Sequence, residues 1–195
     1  MRVLKNALFT FLALVLVTGL IYPLIVTFAG QLFFPYQANG SIITINNQII
    51  GSELIGQSFT DDKYLWSRPS ATSNDPYNPL SSGASNLGPT NVKLYRNMME
   101  YQNNLNASIN NKVPIDLITS SGSGLDPEIS IAGAYYQIPR IAQARNVSPE
   151  LVKSIIDDYA QYPDFKFLGE PRVNVLFVNL ALDLLNVSKL NKRSY

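Results

Sequence analysis

The segment Ser120-Ser121-Gly122-Ser123-Gly124-Leu125 is the part of this chain best suited to hold a ligand. Two glycines free the backbone to converge its amides, and an anion at a following helix start would be favoured by the dipole. No lysine follows Gly124, so a Walker phosphate loop is excluded, and Pro127 stands where a dinucleotide fingerprint needs its third glycine. Asp126 also places a carboxylate where the anion would sit. The simpler reading is a tight turn and a helix cap. Leu80-Ser81-Ser82-Gly83-Ala84-Ser85 matches an ABC signature only at its glycine and reads as polar loop.

Other chemistry is narrowed by what is missing. The chain has no cysteine and no histidine, which removes thiolate metal sites, cysteine nucleophiles, imidazole bases and disulfides. The adjacent carboxylates Asp61-Asp62 and Asp157-Asp158 do not face each other as a glycosidase pair must. A net charge of +1 argues against nucleic acid as a partner. No catalytic residue and no metal ligand set is expected. Gly122, Gly124 and Asp126 are the candidate loop, and Arg68, Arg140 and Arg172 the candidate partner contacts. For all six, turn geometry or ion pairing within the domain is the simpler role. Trp66 and Arg68 are close enough in sequence to stack or pack.

Behind these residues stands a strongly apolar start. Residues 7–29 form a 23-residue run without a charge, about 34 Å long as a helix. That spans a hydrocarbon core of about 30 Å, whereas a signal peptide's apolar run is about 7–15 residues. A retained membrane span is expected, with residues 1–30 as anchor and 31–195 as a separate domain. Pro23 should kink the helix. Tyr36 lies beyond the run, where it suits the outer interface. Arg2 and Lys5 precede the span and the next basic residue is Lys63, which puts the N-terminus in the cytoplasm and the domain outside a plasma membrane crossed once.

In the domain, Ser41–Ile45 and Gln48–Ile55 read as strands joined at Asn46-Asn47. Residues 67–91, rich in Pro, Ser, Asn and Gly, form a long loop. Thr90 or Asn91 caps a helix from Val92 to Ile109 whose Met98 and Met99 pack in the core. Ile115–Thr119 reads as a strand. A helix opens at Asp126-Pro127-Glu128 and runs toward Tyr136, a second begins at Pro139, and a third opens at Ser148. A last apolar helix covers Val173–Leu185, with Asn179 and Asp183 on one face. The tail residues Lys189, Lys192 and Arg193 are solvated. Sequons stand at Asn39, Asn106, Asn146 and Asn186 and carry little weight. The fold class is α+β or α/β: one N-terminal membrane helix, then a helix-rich domain with a small sheet.

Several motifs together resemble one family. They are Gly51-Ser52, Leu54-Ile55-Gly56-Gln57 and Phe59, then Arg68-Pro69-Ser70-Ala71 and Ser82 to Asn91. Pro114, Asp116 and Thr119 to Pro127 follow, then Gln137, Pro139 to Ala142, Ala144-Arg145, Gly169 to Leu176, and Asn179 to Asp183. In this order they are similar to the C subunit of the Kdp potassium-transporting P-type ATPase. Ala84, Ser120 and Glu128 depart from the family's usual glycine, alanine and histidine. The resemblance implies a non-catalytic, chaperone-like subunit of an ATP-driven potassium uptake pump. It implies as partners a catalytic subunit, a potassium-conducting channel-like subunit and a small single-span subunit, beside membrane lipid. ATP and potassium are handled by the complex, with no cofactor assigned to this chain. A bilayer between the outer domain and cytoplasmic ATP requires any effect on nucleotide affinity to be transmitted through the complex. The other classes left open are an anchored outer binding module and a cell-wall hydrolase.

Overall fold

The computed structural model describes residues 1–105, 111–165, 167 and 169–192, and side chains only as far as Leu185. The expected helix end at Ile109, the sequon Asn106, and the side chains of Asn186, Lys189, Lys192 and Arg193 lie outside these. Contacts divide the chain into two units, Met1–Ser52 and Glu53–Tyr195.

The first unit opens with helix α1, Arg2–Phe33, long and apolar enough to cross a membrane. It is longer than the apolar run because Arg2, Lys5 and the residues after Ala29 continue the helical backbone. Where a proline kink is expected, the helix widens into a π-turn at Val17–Ile21, just before Pro23. Tyr22 N–H bonds Val17 O, a five-residue step. Such a turn accommodates the carbonyl that Pro23 cannot pair. The Thr18 hydroxyl returns to Leu14 O at 2.7 Å. A short helix α2, Pro35–Ala38, follows. Strands β1, Ile42–Ile45, and β2, Gln48–Ser52, pair antiparallel with a bulge between Ile43 and Thr44. Asn46 and Asn47 have φ of 49° and 62°, as a tight primed hairpin turn requires.

The second unit carries the core. Residues 67–91 are loop apart from a single 3-10 turn at Pro79–Ser81. Helix α3, Val92–Asn104, is capped by Asn91, whose side chain accepts from Lys93 N–H. No residue of α3 is buried, and Met99 is exposed. The reading of both methionines as core is thus corrected: the apolar edge Val92–Tyr95–Met99 faces outward. The strand expected at Ile115–Thr119 is also corrected. After Pro114 the chain makes a 3-10 turn, Ile115–Leu117, closed by the Thr119 hydroxyl on Ile115 O.

The helix expected from Asp126 starts five residues later. Glu128–Ser130 is strand β3, held antiparallel against β5, Arg172–Asn174. Ladder hydrogen bonds there outweigh the local helix-start signal. Ser130 caps helix α4, Ile131–Tyr136, by accepting from Gly133 N–H. Helix α5, Ile138–Arg145, has Pro139 in its first turn and ends at Asn146 in the left-handed region, φ 52°. Helix α6, Pro149–Asp158, is capped by Ser148 as expected. Strand β4, Ala160–Gln161, completes a sheet of order β3-β5-β4. Helix α7, Val175–Lys192, closes the described chain. Asn174 caps it by accepting from Leu176 N–H at 3.0 Å.

The helices α4 to α7 and the sheet enclose Ile129, Ile141, Val152, Ile156, Val173, Val178 and Leu182. Leu65, from a segment with no regular structure, is fully buried among them. The described residues thus comprise an α+β domain and one candidate membrane helix.

Candidate functional site

Three candidate residues meet in one cleft. Arg68, Asp126 and Arg172 line a depression of about 310 Å³ together with Asp116, Glu128 and Glu170. Arg68 Nη1 bonds Asp126 Oδ2 at 3.0 Å, and Arg172 Nε bonds Glu128 Oε2 at 2.7 Å. Asp126 Oδ1 accepts from Glu128 N–H, so this carboxylate closes a turn instead of capping a helix. Asp116 Oδ2 accepts from Ser130 N–H at 2.8 Å. Among the described residues no group of three or more acidic side chains is arranged to hold a metal ion.

Neither Gly124 nor Gly122 lines this cleft. The glycine–serine loop is spanned by hydrogen bonds from the long loop and from Gly56. Gly83 N–H donates to Ser123 O at 2.8 Å, Gly56 N–H to Leu125 O at 2.8 Å, and the Ser70 hydroxyl to Gly124 O at 2.7 Å. The loop's own amides are also engaged, Gly124 N–H by Ser121 Oγ and Leu125 N–H by Ser123 Oγ. No helix begins at Asp126, so no helix dipole points at the loop. Gly124 has φ +69°, and a Cβ there would meet Thr72 Cγ2 at 2.7 Å and Gly83 O at 2.8 Å. Around Gly122, which is exposed, a Cβ would meet nothing within 4 Å.

Arg68 also forms part of a second, larger pocket of about 460 Å³ walled by Phe59, Trp66, Tyr77 and Tyr101. Its Nε is buried without a hydrogen-bond partner among the described residues. Tyr77 has φ +59°, uncommon for so bulky a side chain. Its N–H donates to Ser70 Oγ at 2.9 Å and its hydroxyl donates to Arg68 O. The ring fills the space that a Cβ on Gly56 would need, 2.6 Å away. Burial pushes the Tyr77 phenol up to about 12. An unfolded tyrosine ionises near 10, so its contribution to stability is complete below pH 10 and is lost as pH rises through 12. Alkaline titration by ultraviolet absorbance should show a late phase whose amplitude falls by one phenol in Tyr77→Phe. A titration in which every phenol ionises together near pH 10 would contradict this.

Arg140 belongs to a different constellation, built around residues 62–66. Its guanidinium stacks on Trp66 at 3.9 Å and donates to Asp62 O at 2.7 Å and to Gln137 Oε1 at 2.6 Å. Desolvation pushes this group down to about 10, against the pull of the Asp62 and Asp61 carboxylates. Beneath it, two side-chain amides replace a missing strand. Gln137 Oε1 accepts from Trp66 N–H and Gln137 Nε2 donates to Trp66 O. Asn179 does the same for Leu65, accepting from its N–H at 2.7 Å and donating to its O at 2.9 Å. Arg145 completes the strap through Lys63 O, Leu182 O and Asp183 Oδ1 at 2.6, 2.7 and 2.8 Å. Tyr64 donates to the other oxygen of Asp183 at 3.0 Å.

Sequence reasoning did not single out Gln137 or Arg145 as site residues. The signals for them were faint: a polar residue directly before the Ile138-Pro139 helix start, and a basic residue in a helix's last turn. The spacing of Asn179 and Asp183 was visible, and both face the strap.

One apolar helix long enough to cross a membrane precedes, in the chain, an α+β domain in which Arg68, Arg145 and Arg172 are each paired with a carboxylate. The sequence pattern of the family described as "K+-transporting ATPase, c chain" matches residues 4–184. The potassium-transporting ATPase KdpC subunit of Methylococcus capsulatus is 50% identical over 184 residues, covering 93% of this chain and 97% of that one. That of Janthinobacterium sp. is 51% identical, covering 92% and 96%. That of Escherichia coli O157:H7 is 47% identical, covering 95% and 100%. The chain belongs to the KdpC family, the C chain of the potassium-transporting ATPase.

Proposed function

We propose that this chain is a non-catalytic subunit that supports assembly of the potassium pump and raises the catalytic subunit's affinity for nucleotide. Residues 31–195 stand outside the cytoplasm on the anchor of residues 1–30, against the potassium-conducting subunit near the ion entrance. Its other partners are the catalytic subunit and a small single-span subunit. The observation that carries this reading is the charge order: Arg2 and Lys5 before the apolar run, and no further basic residue until Lys63. Support for a non-catalytic role comes from the cleft, where Asp126 and Glu128 are each tied to an arginine. Nucleotide on the far side of about 30 Å of hydrocarbon is reached only by coupling through the complex.

ATP hydrolysis tests this proposal. The purified chain alone should show no turnover. The reconstituted pump lacking it should need a several-fold higher ATP concentration for half-maximal rate, or should fail to assemble. Robust hydrolysis by the isolated chain, or a pump indifferent to its removal, would overturn the reading.

A further inference from the structure

A carbonyl at the centre of α1 has lost its donor. In an α-helix Thr18 O would accept from the N–H of residue 22, and in a wider turn from that of residue 23. Tyr22 N–H is taken by Val17 O, and Pro23 has no N–H. The Thr18 hydroxyl cannot serve instead, because its one proton goes to Leu14 O at 2.7 Å. The widened turn thus relieves the clash at Pro23 and leaves Thr18 O over. Within the span Arg2–Phe33 this carbonyl lies next to the midpoint, and Thr18 and Gly19 are both exposed.

Depth decides the kind of partner. Acyl chains at the middle of a bilayer carry no donor, so lipid cannot satisfy a carbonyl there, whereas a neighbouring helix can. Gly19 marks the side of approach. Glycine is unfavourable inside a helix, and a Cβ on Gly19 would meet nothing within 4 Å, so the chain's own packing does not call for one. Bare backbone beside an acceptor is what lets a second helix come close. A second copy crossing at Gly19 would bring the same spent Thr18 hydroxyl to the contact. We infer that Thr18 O accepts a hydrogen bond from a hydroxyl or side-chain amide on a transmembrane helix of another subunit of the potassium-transporting ATPase, with Gly19 as the point of close approach. This inference rests on the reading of the chain as a membrane-spanning pump subunit.

The test reads this carbonyl directly. Thr18-Gly19 is the one Thr-Gly pair in the sequence, so carbonyl-13C threonine with 15N glycine labels a single peptide bond of the full chain. Solid-state magnetic resonance in bilayers should find the Thr18 carbonyl at the upfield position of an unbonded group when the chain is alone. It should move downfield when the chain is assembled with the other subunits. Pro23→Ala restores an N–H at residue 23, and its carbonyl should stand downfield in both states. Gly19→Leu should insert normally, since leucine suits the apolar run, and should lower recovery of the complex about fivefold. A wild-type carbonyl already downfield in the chain alone would assign the bond to water, to a second copy or to the helix itself, and would overturn the inference. A position unchanged on assembly, or full assembly by Gly19→Leu, would overturn it while leaving the subunit reading intact. A wild-type chain that joins no pump subunit would overturn that reading and this inference with it.

Discussion

Arg145→Met should lower the stability of the domain by about 3 kcal/mol, the low end of the range for breaking a buried ion pair. For a chain of this size that is roughly 6–12 °C in melting temperature. The Arg145 side chain is 1% exposed, and it supplies three donors that nothing else nearby replaces. Two of its acceptors are main-chain carbonyls, Lys63 O and Leu182 O, so methionine leaves them without a donor in a dry place. The effect sits at the low end because Asp183 is 46% exposed and keeps the Tyr64 hydroxyl. Asp183→Asn should therefore be mild, about 1 kcal/mol, since an amide oxygen still accepts a hydrogen bond. Trp66, the one tryptophan, lies on the same strap under Arg140 and reports the transition by fluorescence. Equal losses from both variants would mean that the ion pair, not the carbonyl cradle, holds the strap.

Gly124→Ala should destabilise by roughly 2–4 kcal/mol, and Gly122→Ala by less than about 0.5 kcal/mol. Both glycines stand in one polar loop and look equivalent in sequence. They differ in that Gly124 holds φ +69° with Thr72 and Gly83 packed where a side chain would begin. Relief of that overlap has to move the long loop, and with it the hydrogen bond from Gly83 to Ser123. The comparison of the two melting temperatures checks whether the loop is a structural clamp. A neutral Gly124→Ala would show that the two loops are not held together as described.

The parts of the fold legible in sequence are those governed by short-range chemistry. The apolar run, the Asn46-Asn47 turn, the Asn91 and Ser148 caps and the Pro139 helix start each depend on a few adjacent residues. The parts that were not legible depend on partners far along the chain. Glu128–Ser130 carries a good helix-start pattern, but Arg172–Asn174 lies across from it and claims its backbone as strand. Leu65 enters the core without belonging to any element, because Gln137 and Asn179 satisfy its neighbourhood from more than seventy residues away. The α3 methionines follow a helical stripe, yet its edge at Val92, Tyr95 and Met99 is exposed. Of the candidate site, Arg68 pairs with Asp126 and Arg172 with Glu128. Arg140 did not join them, since it stacks on Trp66, a contact no spacing rule predicts.

Protease access to a tag fused after Tyr195 tests the central claim most directly. In right-side-out vesicles the account expects the tag to be removed by added protease, and in inverted vesicles to be protected until detergent is added. Cleavage in inverted vesicles, with protection in right-side-out ones, would place the domain beside cytoplasmic ATP and contradict the account.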